Sequence, residues 1–143
     1  MIRPAEIADA PAMAEVLSGW IDGTPWMPRI HTYDEDFAFC QKLIGTRDVW
    51  VVDVAGGFGF LARHGNSIDA LYLSPDLSRK GWGTALLDTA KLDRDHLTLW
   101  TFQANIDAAS FYIANDFHIS DVTNGMGNAE KLPDFHMNWS REN

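Results

Sequence analysis

One cysteine among 143 residues, Cys40, cannot close an internal disulfide, so the fold must hold by its core alone in a reducing setting. No run approaches the roughly 18 apolar residues of a membrane-spanning helix. The opening MIRPAEIADA places Glu and Asp where a secretory leader needs an apolar stretch. The expectation is a soluble, cytoplasmic protein with no membrane partner. Positive charge is scarce too: 11 Lys and Arg stand against 20 Asp and Glu, giving a formal net charge of −9. Without a basic stripe such a chain repels a polyanion at long range, so nucleic acid is not expected as a partner, whereas a cationic small molecule is attracted. The phosphate-loop spacing G-x-x-x-x-G-K-[ST] and the dinucleotide pattern G-x-G-x-x-G are both missing. No repeat, low-complexity tract or linker interrupts the chain.

What is present has the balance of an ordinary globular domain, 46% hydrophobic and 22% charged. At this length one core can bury well over half of the unfolded surface, and a single domain over residues 1–143 is expected. Six tryptophans are many for the size, and some are expected to line a pocket.

Hydrophobic spacing and turn residues divide the chain. Residues 2–4 read as a short edge strand stopped by Pro4. Asp9 is placed to cap a helix with Met13, Val16 and Leu17 on one face, ending at Gly19. Residues 23–31 hold two prolines yet carry Trp26, Met27 and Ile30, so this loop is expected to pack against something. A second helix follows from Asp34 to Gly45. Strands are expected over 49–54, 58–63 and 68–73, joined by the turns Ala55-Gly56-Gly57 and His64-Gly65-Asn66. A helix over 84–91, a strand over 97–102, a helix over 107–114 capped by Asp107, and strands over 117–122 and 135–139 complete the pattern. Strand, helix and strand across 68–102 imply a parallel pair with a crossover helix, while the hairpins make the rest antiparallel. The fold class is mixed α+β.

The sharpest local signal is Ser78-Arg79-Lys80-Gly81-Trp82-Gly83-Thr84, lying between a strand and a helix. Two glycines let backbone approach a ligand, and several N–H groups converge at a helix N-terminus beside two cations. That suits a pyrophosphate; the alternative is a glycine-rich turn that merely enters a helix. A second signal is the strand Leu99-Trp100-Thr101-Phe102 running into Asn105 and a helix with Phe111 and Tyr112. A phenol there could donate a proton, or be a core-edge tyrosine with its hydroxyl satisfied.

Together and in this order, Leu71-Tyr72-Leu73-Ser74-Pro75, then Lys80-Gly81-Trp82-Gly83-Thr84-Ala85-Leu86-Leu87, then Asn105, Ala108, Phe111, Tyr112 and Phe117, resemble the GNAT superfamily of N-acetyltransferases. The resemblance spans residues 68–117, and the opening Ile2-Arg3-Pro4-Ala5 with Asp9 is similar as well. It implies a mostly antiparallel sheet of about six to seven strands with a splayed parallel pair and about four helices. It also implies acetyl-CoA as co-substrate. The loop of Arg79, Lys80, Gly81, Trp82, Gly83 and Thr84 would bind the CoA pyrophosphate through backbone N–H groups. Leu71, Tyr72 and Leu73 would offer main-chain hydrogen bonds to the pantetheine arm, as to an added strand. Asn105 would contact CoA near the thioester, and Tyr112 would protonate the departing thiolate. A homodimer is a further expectation of the resemblance. The sequence departs from the family pattern at Ser78, where Gln or Arg is usual, and at Asp116, where Gly is usual.

A base has to accept the acceptor's proton. Asp69 is one candidate, since strand alternation puts it on the face of Leu71; His31 is another, with an ordinary pKa near neutral. Trp26, His31 and Glu130 are candidates for the acceptor pocket, aromatic walls with a carboxylate suiting a cation. The alternative reading of the stretch 124–128 is a plain turn. The leading expectation is acetyl transfer to a primary amine of a small molecule, in a ternary complex. A non-catalytic acyl-CoA sensor and a protein lysine or N-terminal acetyltransferase are the alternatives. No metal site is expected.

Overall fold

The computed structural model describes residues 2–142. Seven strands form one sheet: β1 (Ile2–Pro4), β2 (Asp48–Val54), β3 (Gly57–His64), β4 (Ser67–Leu73), β5 (His96–Phe102), β6 (His118–Thr123) and β7 (Asp134–Ser140). Their order across the sheet is β1-β2-β3-β4-β5-β7-β6. Every neighbouring pair is antiparallel except β4–β5. Four helices complete it: α1 (Ala10–Asp22), α2 (Tyr33–Thr46), α3 (Trp82–Lys91) and α4 (Ile106–Ala114). This is the mixed, mostly antiparallel sheet with one parallel pair that the sequence implied.

The sheet carries a core on each face. Alternation along β2, β3 and β4 sends Val49, Val51, Phe60, Ala62 and Ala70 toward α1 and α2, where they meet Met13, Leu17, Cys40 and Leu43. The other set, including Val52, Leu61, Leu97, Leu99 and Met137, faces α3 and α4. On α3, Gly83, Leu86, Leu87 and Ala90 are buried along one stripe, and each wholly buried leucine stabilises the fold by roughly 1.5–3 kcal/mol. Lys91 closes that helix, its ammonium donating to the Asn115 carbonyl at 2.8 Å and lying over Trp139.

Three local features differ from the sequence expectation. Helix α1 runs through Gly19 to Asp22, because Trp20 and Ile21 continue its apolar face and outweigh one glycine. Asp9 precedes α1 without capping it through its side chain; its carboxylate instead accepts from the Glu6 amide at 2.7 Å and from Arg3 at 2.8 and 2.9 Å. Asn105 rather than Asp107 caps α4, accepting from the Ala108 amide at 3.1 Å.

Candidate active site

Strands β4 and β5 are paired at a single register position, Ser67 with Thr98, where the Thr98 amide donates to the Asn66 carbonyl at 2.7 Å. Beyond that point they separate. The wedge between them is a cavity of about 720 Å³. Its walls include residues 68–73 of β4, residues 99–102 of β5, the start of α3 and one side of α4. Because β3 holds β4 over its whole length, the gap leaves main-chain polar groups of β4 facing open space, the arrangement of an unpaired sheet edge.

At the foot of this wedge the chain turns into α3 through two left-handed residues, Arg79 (φ 62°) and Gly81 (φ 86°). Such a turn points consecutive N–H groups into one concavity, and here it does so at a helix N-terminus. Gly83 is buried under Phe111; a Cβ there would lie 3.0 Å from the ring. Ser78, Arg79, Gly81, Gly83 and Thr84 line the cavity. Lys80 is exposed and outside its wall, and Trp82 packs against the core instead.

Tyr112 stands on the buried side of α4, 9% exposed and in the cavity wall. Phe111 and Phe117 flank its ring at 5.3 and 5.7 Å. Burial pushes its phenol well above the usual tyrosine range, with a smaller push from Tyr72. On β4, Tyr72 faces the other way, against Trp20 at 5.4 Å and Phe60 at 5.8 Å. Burial, then the negative charge of Glu130, raises its phenol to about 12. Leu71 and Leu73 lie in the wall on the α3 and α4 side, and Asn105 lines it while capping α4.

Asp69 is the extra residue of a β-bulge. Ala62 pairs with Ala70 and Arg63 with Ile68, so Asp69 has no partner across the β3–β4 ladder. The bulge breaks the alternation by which Asp69 was expected to share a face with Leu71; Ile68 joins Leu71 and Leu73 in one core instead. The carboxylate, at the cavity edge, accepts from Arg47 at 2.7 Å and from Ser67 at 3.0 Å.

A second cavity, about 630 Å³, adjoins the first through their shared wall of Trp100, Thr101 and Phe102. Glu130 lines it, beside Asp134, on the 124–133 loop. That loop is shaped by Asp134, whose carboxylate accepts from Thr123 and Asn128. Trp26 lines neither cavity; it packs against two residues of the wedge wall, Phe102 at 5.8 Å and Trp20 at 5.9 Å. His31 is exposed, 3.7 Å from Glu35, and lines neither cavity. The structure thus gathers Tyr112, Asp69, Asn105, Leu71, Tyr72, Leu73 and most of the glycine loop around one wedge. It sets Glu130 next door and leaves His31 apart. Trp20, Trp100 and Phe102 also line the wedge; Trp100 and Phe102 lie on the strand of the second sequence signal, whereas the only signal for Trp20 was the surplus of aromatic residues.

The comparisons fit this geometry. The sequence profile of the acetyltransferase (GNAT) domain matches residues 45–119. Over 97% of this chain and 96% of the relative, the sequence is 32% identical to the peptidyl-lysine N-acetyltransferase YiaC of Escherichia coli. The fold resembles a GCN5-related N-acetyltransferase from Rhodopseudomonas palustris with a TM-score of 0.80, at 21% identity, covering 98% of this chain and 94% of that one. It also resembles YncA of Salmonella typhimurium, solved with its cofactor acetyl-CoA, with a TM-score of 0.72 at 18% identity, over 98% and 92% of the two chains. The chain belongs to the GNAT family of acetyltransferases, enzymes that take their acetyl group from acetyl-CoA.

Proposed function

We propose that this enzyme transfers the acetyl group of acetyl-CoA to the primary amine of a lysine side chain, with both substrates bound at once. The observation that carries the reading is the β4–β5 wedge, which joins an acid-bearing cavity along Trp100, Thr101 and Phe102. The lysine acceptor, in place of the small-molecule amine expected from the sequence, is supported by the peptidyl-lysine specificity that names a relative similar over nearly its whole length. A small cationic amine is the second reading, favoured by Trp100 and Phe102, which line the second cavity together with Glu130. Membership in an enzyme family leaves the non-catalytic sensor without support.

In this reading the backbone of residues 79–84 cradles the CoA pyrophosphate, and the free edge of β4 at Leu71, Tyr72 and Leu73 holds the pantetheine arm. Acetyl-CoA supplies a thioester whose carbonyl carbon accepts the amine. The C–N bond forms as the C–S bond breaks. An N–H group on β4 faces the carbonyl oxygen as it gains charge. A free lysine ammonium, with a pKa near ~10.4, is almost wholly protonated at neutral pH, so it has to be deprotonated before attack. On becoming an amide nitrogen it loses two protons. One leaves through Glu130 and water to solvent; the other reaches the departing sulfur through water once the C–S bond has broken, giving the free thiol. Asp69, already neutralised by Arg47, is the weaker candidate for the first of these. Because burial raises Tyr112, full transfer to a thiolate of ordinary pKa near ~8.5 is uphill. Its phenol therefore acts chiefly as a hydrogen-bond donor to the departing sulfur, and it stays protonated throughout the neutral range.

Thiol release from acetyl-CoA, measured with a lysine-containing peptide and with spermidine as acceptors, tests the proposal. Higher kcat/KM on the peptide is the expected result. Turnover confined to spermidine would overturn the lysine reading and leave the small-amine one.

A further inference from the structure

The connection between α1 and α2, residues 23–32, carries Trp26 to the acceptor side of the wedge. Between Pro25 and Pro28 it has little backbone support; within it, Thr24 and Met27 donate to the Ile21 and Thr24 carbonyls. At its start the Gly23 amide and the Thr24 hydroxyl donate to the Gly19 and Trp20 carbonyls of α1, and past Pro28 one guanidinium holds it down. Arg29 Nε donates to Asp22 at 2.7 Å, Nη1 to the His31 carbonyl at 2.9 Å and to Asp36 at 3.0 Å, and Nη2 to the Ser18 hydroxyl at 2.5 Å and carbonyl at 3.1 Å. These partners lie at the end of α1, in the loop itself and at the start of α2, so a single side chain ties all three. Asp36 and Ser18 are buried. A planar fork with five N–H groups suits such a junction; a lysine, with one small ammonium head, does not span it.

What the clamp positions is a row of rings. Tyr72 of β4 meets Trp20 of α1 at 5.4 Å, Trp20 meets Trp26 of the loop at 5.9 Å, and Trp26 meets Phe102 of β5 at 5.8 Å. The row begins and ends on the two strands that separate, and so bridges the wedge. Trp26 is its one member on irregular backbone. Phe102, at the end of the row, lines both cavities.

We infer that Arg29 is a positioning residue for the acetyl acceptor: it fixes Trp26 against Phe102 and so shapes the wall past which the amine enters, without touching acetyl-CoA. The assignment of that side to the acceptor rests on the function proposed above; the clamp itself rests on the hydrogen bonds and ring contacts alone.

The test uses Arg29→Met, which keeps the volume and removes the donors. Because this leaves the Asp36 carboxylate buried without its cation, Arg29→Met with Asp36→Asn is made alongside it to separate misfolding from mispositioning. Two readouts are taken. The first is KM for the lysine peptide, expected to rise by about tenfold, the scale of a small misplacement near a reacting centre, with kcat and the acetyl-CoA Kd unchanged. Combining Arg29→Met with Trp26→Ala adds nothing beyond Trp26→Ala alone if Arg29 acts through that ring. The second readout needs no acceptor: acrylamide quenching of tryptophan fluorescence rises in Arg29→Met, and the rise vanishes in a Trp26→Phe background. An unchanged quenching curve, or a KM effect matched by loss of acetyl-CoA affinity, overturns the inference. If the parent enzyme does not turn over the peptide, the acceptor reading falls by itself, and the quenching pair still decides the clamp.

Discussion

Two phenols stand on opposite sides of the wedge, Tyr112 buried and Tyr72 half-buried, and their environments give a stability signature. Burial raises both Tyr72, to about 12, and Tyr112, from an ordinary value of about 10 in the unfolded chain. A raised folded-state pKa means that the native state keeps protons which the unfolded chain releases. The contribution is fully present below about pH 10 and is lost as pH climbs through the folded pKa values. Urea midpoints measured from pH 8 to 11.5 should therefore fall on the alkaline side, and the fall should be shallower in Tyr72→Phe. A parent curve that stays flat to pH 11.5 would show that the two phenols are not shielded from water as described. At neutral pH neither phenol ionises, which leaves Tyr112 with its proton where the proposed chemistry needs one.

At the scale of elements, the turn after α4 is the clearest strained position. Asp116 has φ 72°, a left-handed conformation that glycine adopts freely and other residues adopt at a cost of about 1 kcal/mol. Asp116→Gly relieves that strain against the added entropy of the unfolded chain. A rise of roughly 3 °C in Tm follows for each kcal/mol gained in a domain of this size; a thermal melt showing a fall would contradict the assignment. This conformation was legible in the sequence, since the family pattern carries glycine there. So were the strands, whose β-branched runs end at glycine turns, and the entry to α3. Less was legible where a side chain chose between partners. Asp9 and Asp107 both look like helix caps, yet Asp9 turns to Arg3 and Asn105 takes the cap of α4. The capping box of Thr32 and Glu35, which starts α2, went unread beside the helix pattern it opens. The bulge at Asp69 was beyond reach, because nothing local distinguishes Ser67-Ile68-Asp69-Ala70 from a regular alternating strand.

Across the whole molecule, the two halves of the reaction differ in how they are written. The proposed donor side uses backbone: a loop of two left-handed residues at a helix start, and a β4 edge left open beyond its one pairing with β5. Glycine spacing encodes such features within a few residues, so they show in the sequence. The proposed acceptor side is assembled from the end of β5 and the 124–133 loop, with Trp20 of α1 and Trp26 of the 23–32 connection packed behind Phe102, segments far apart in the chain and brought together only by the fold. Aromatic content hinted at it, and Trp26 and Glu130 fall beside it, but His31, from the same loop as Trp26, points elsewhere. A net charge of −9 suits a cationic acceptor and says no more about its identity.

The most direct test of acetyl transfer in the β4–β5 wedge is the kcat for thiol release from acetyl-CoA with a lysine peptide, compared between the parent enzyme and Tyr112→Phe, with acetyl-CoA affinity measured by titration calorimetry on both. Transfer in the wedge predicts a kcat lowered by about 10²-fold, toward the lower end of the range for losing a proton donor, with the acetyl-CoA Kd unchanged. Equal kcat values in the two proteins would contradict it, and would remove Tyr112 from the chemistry.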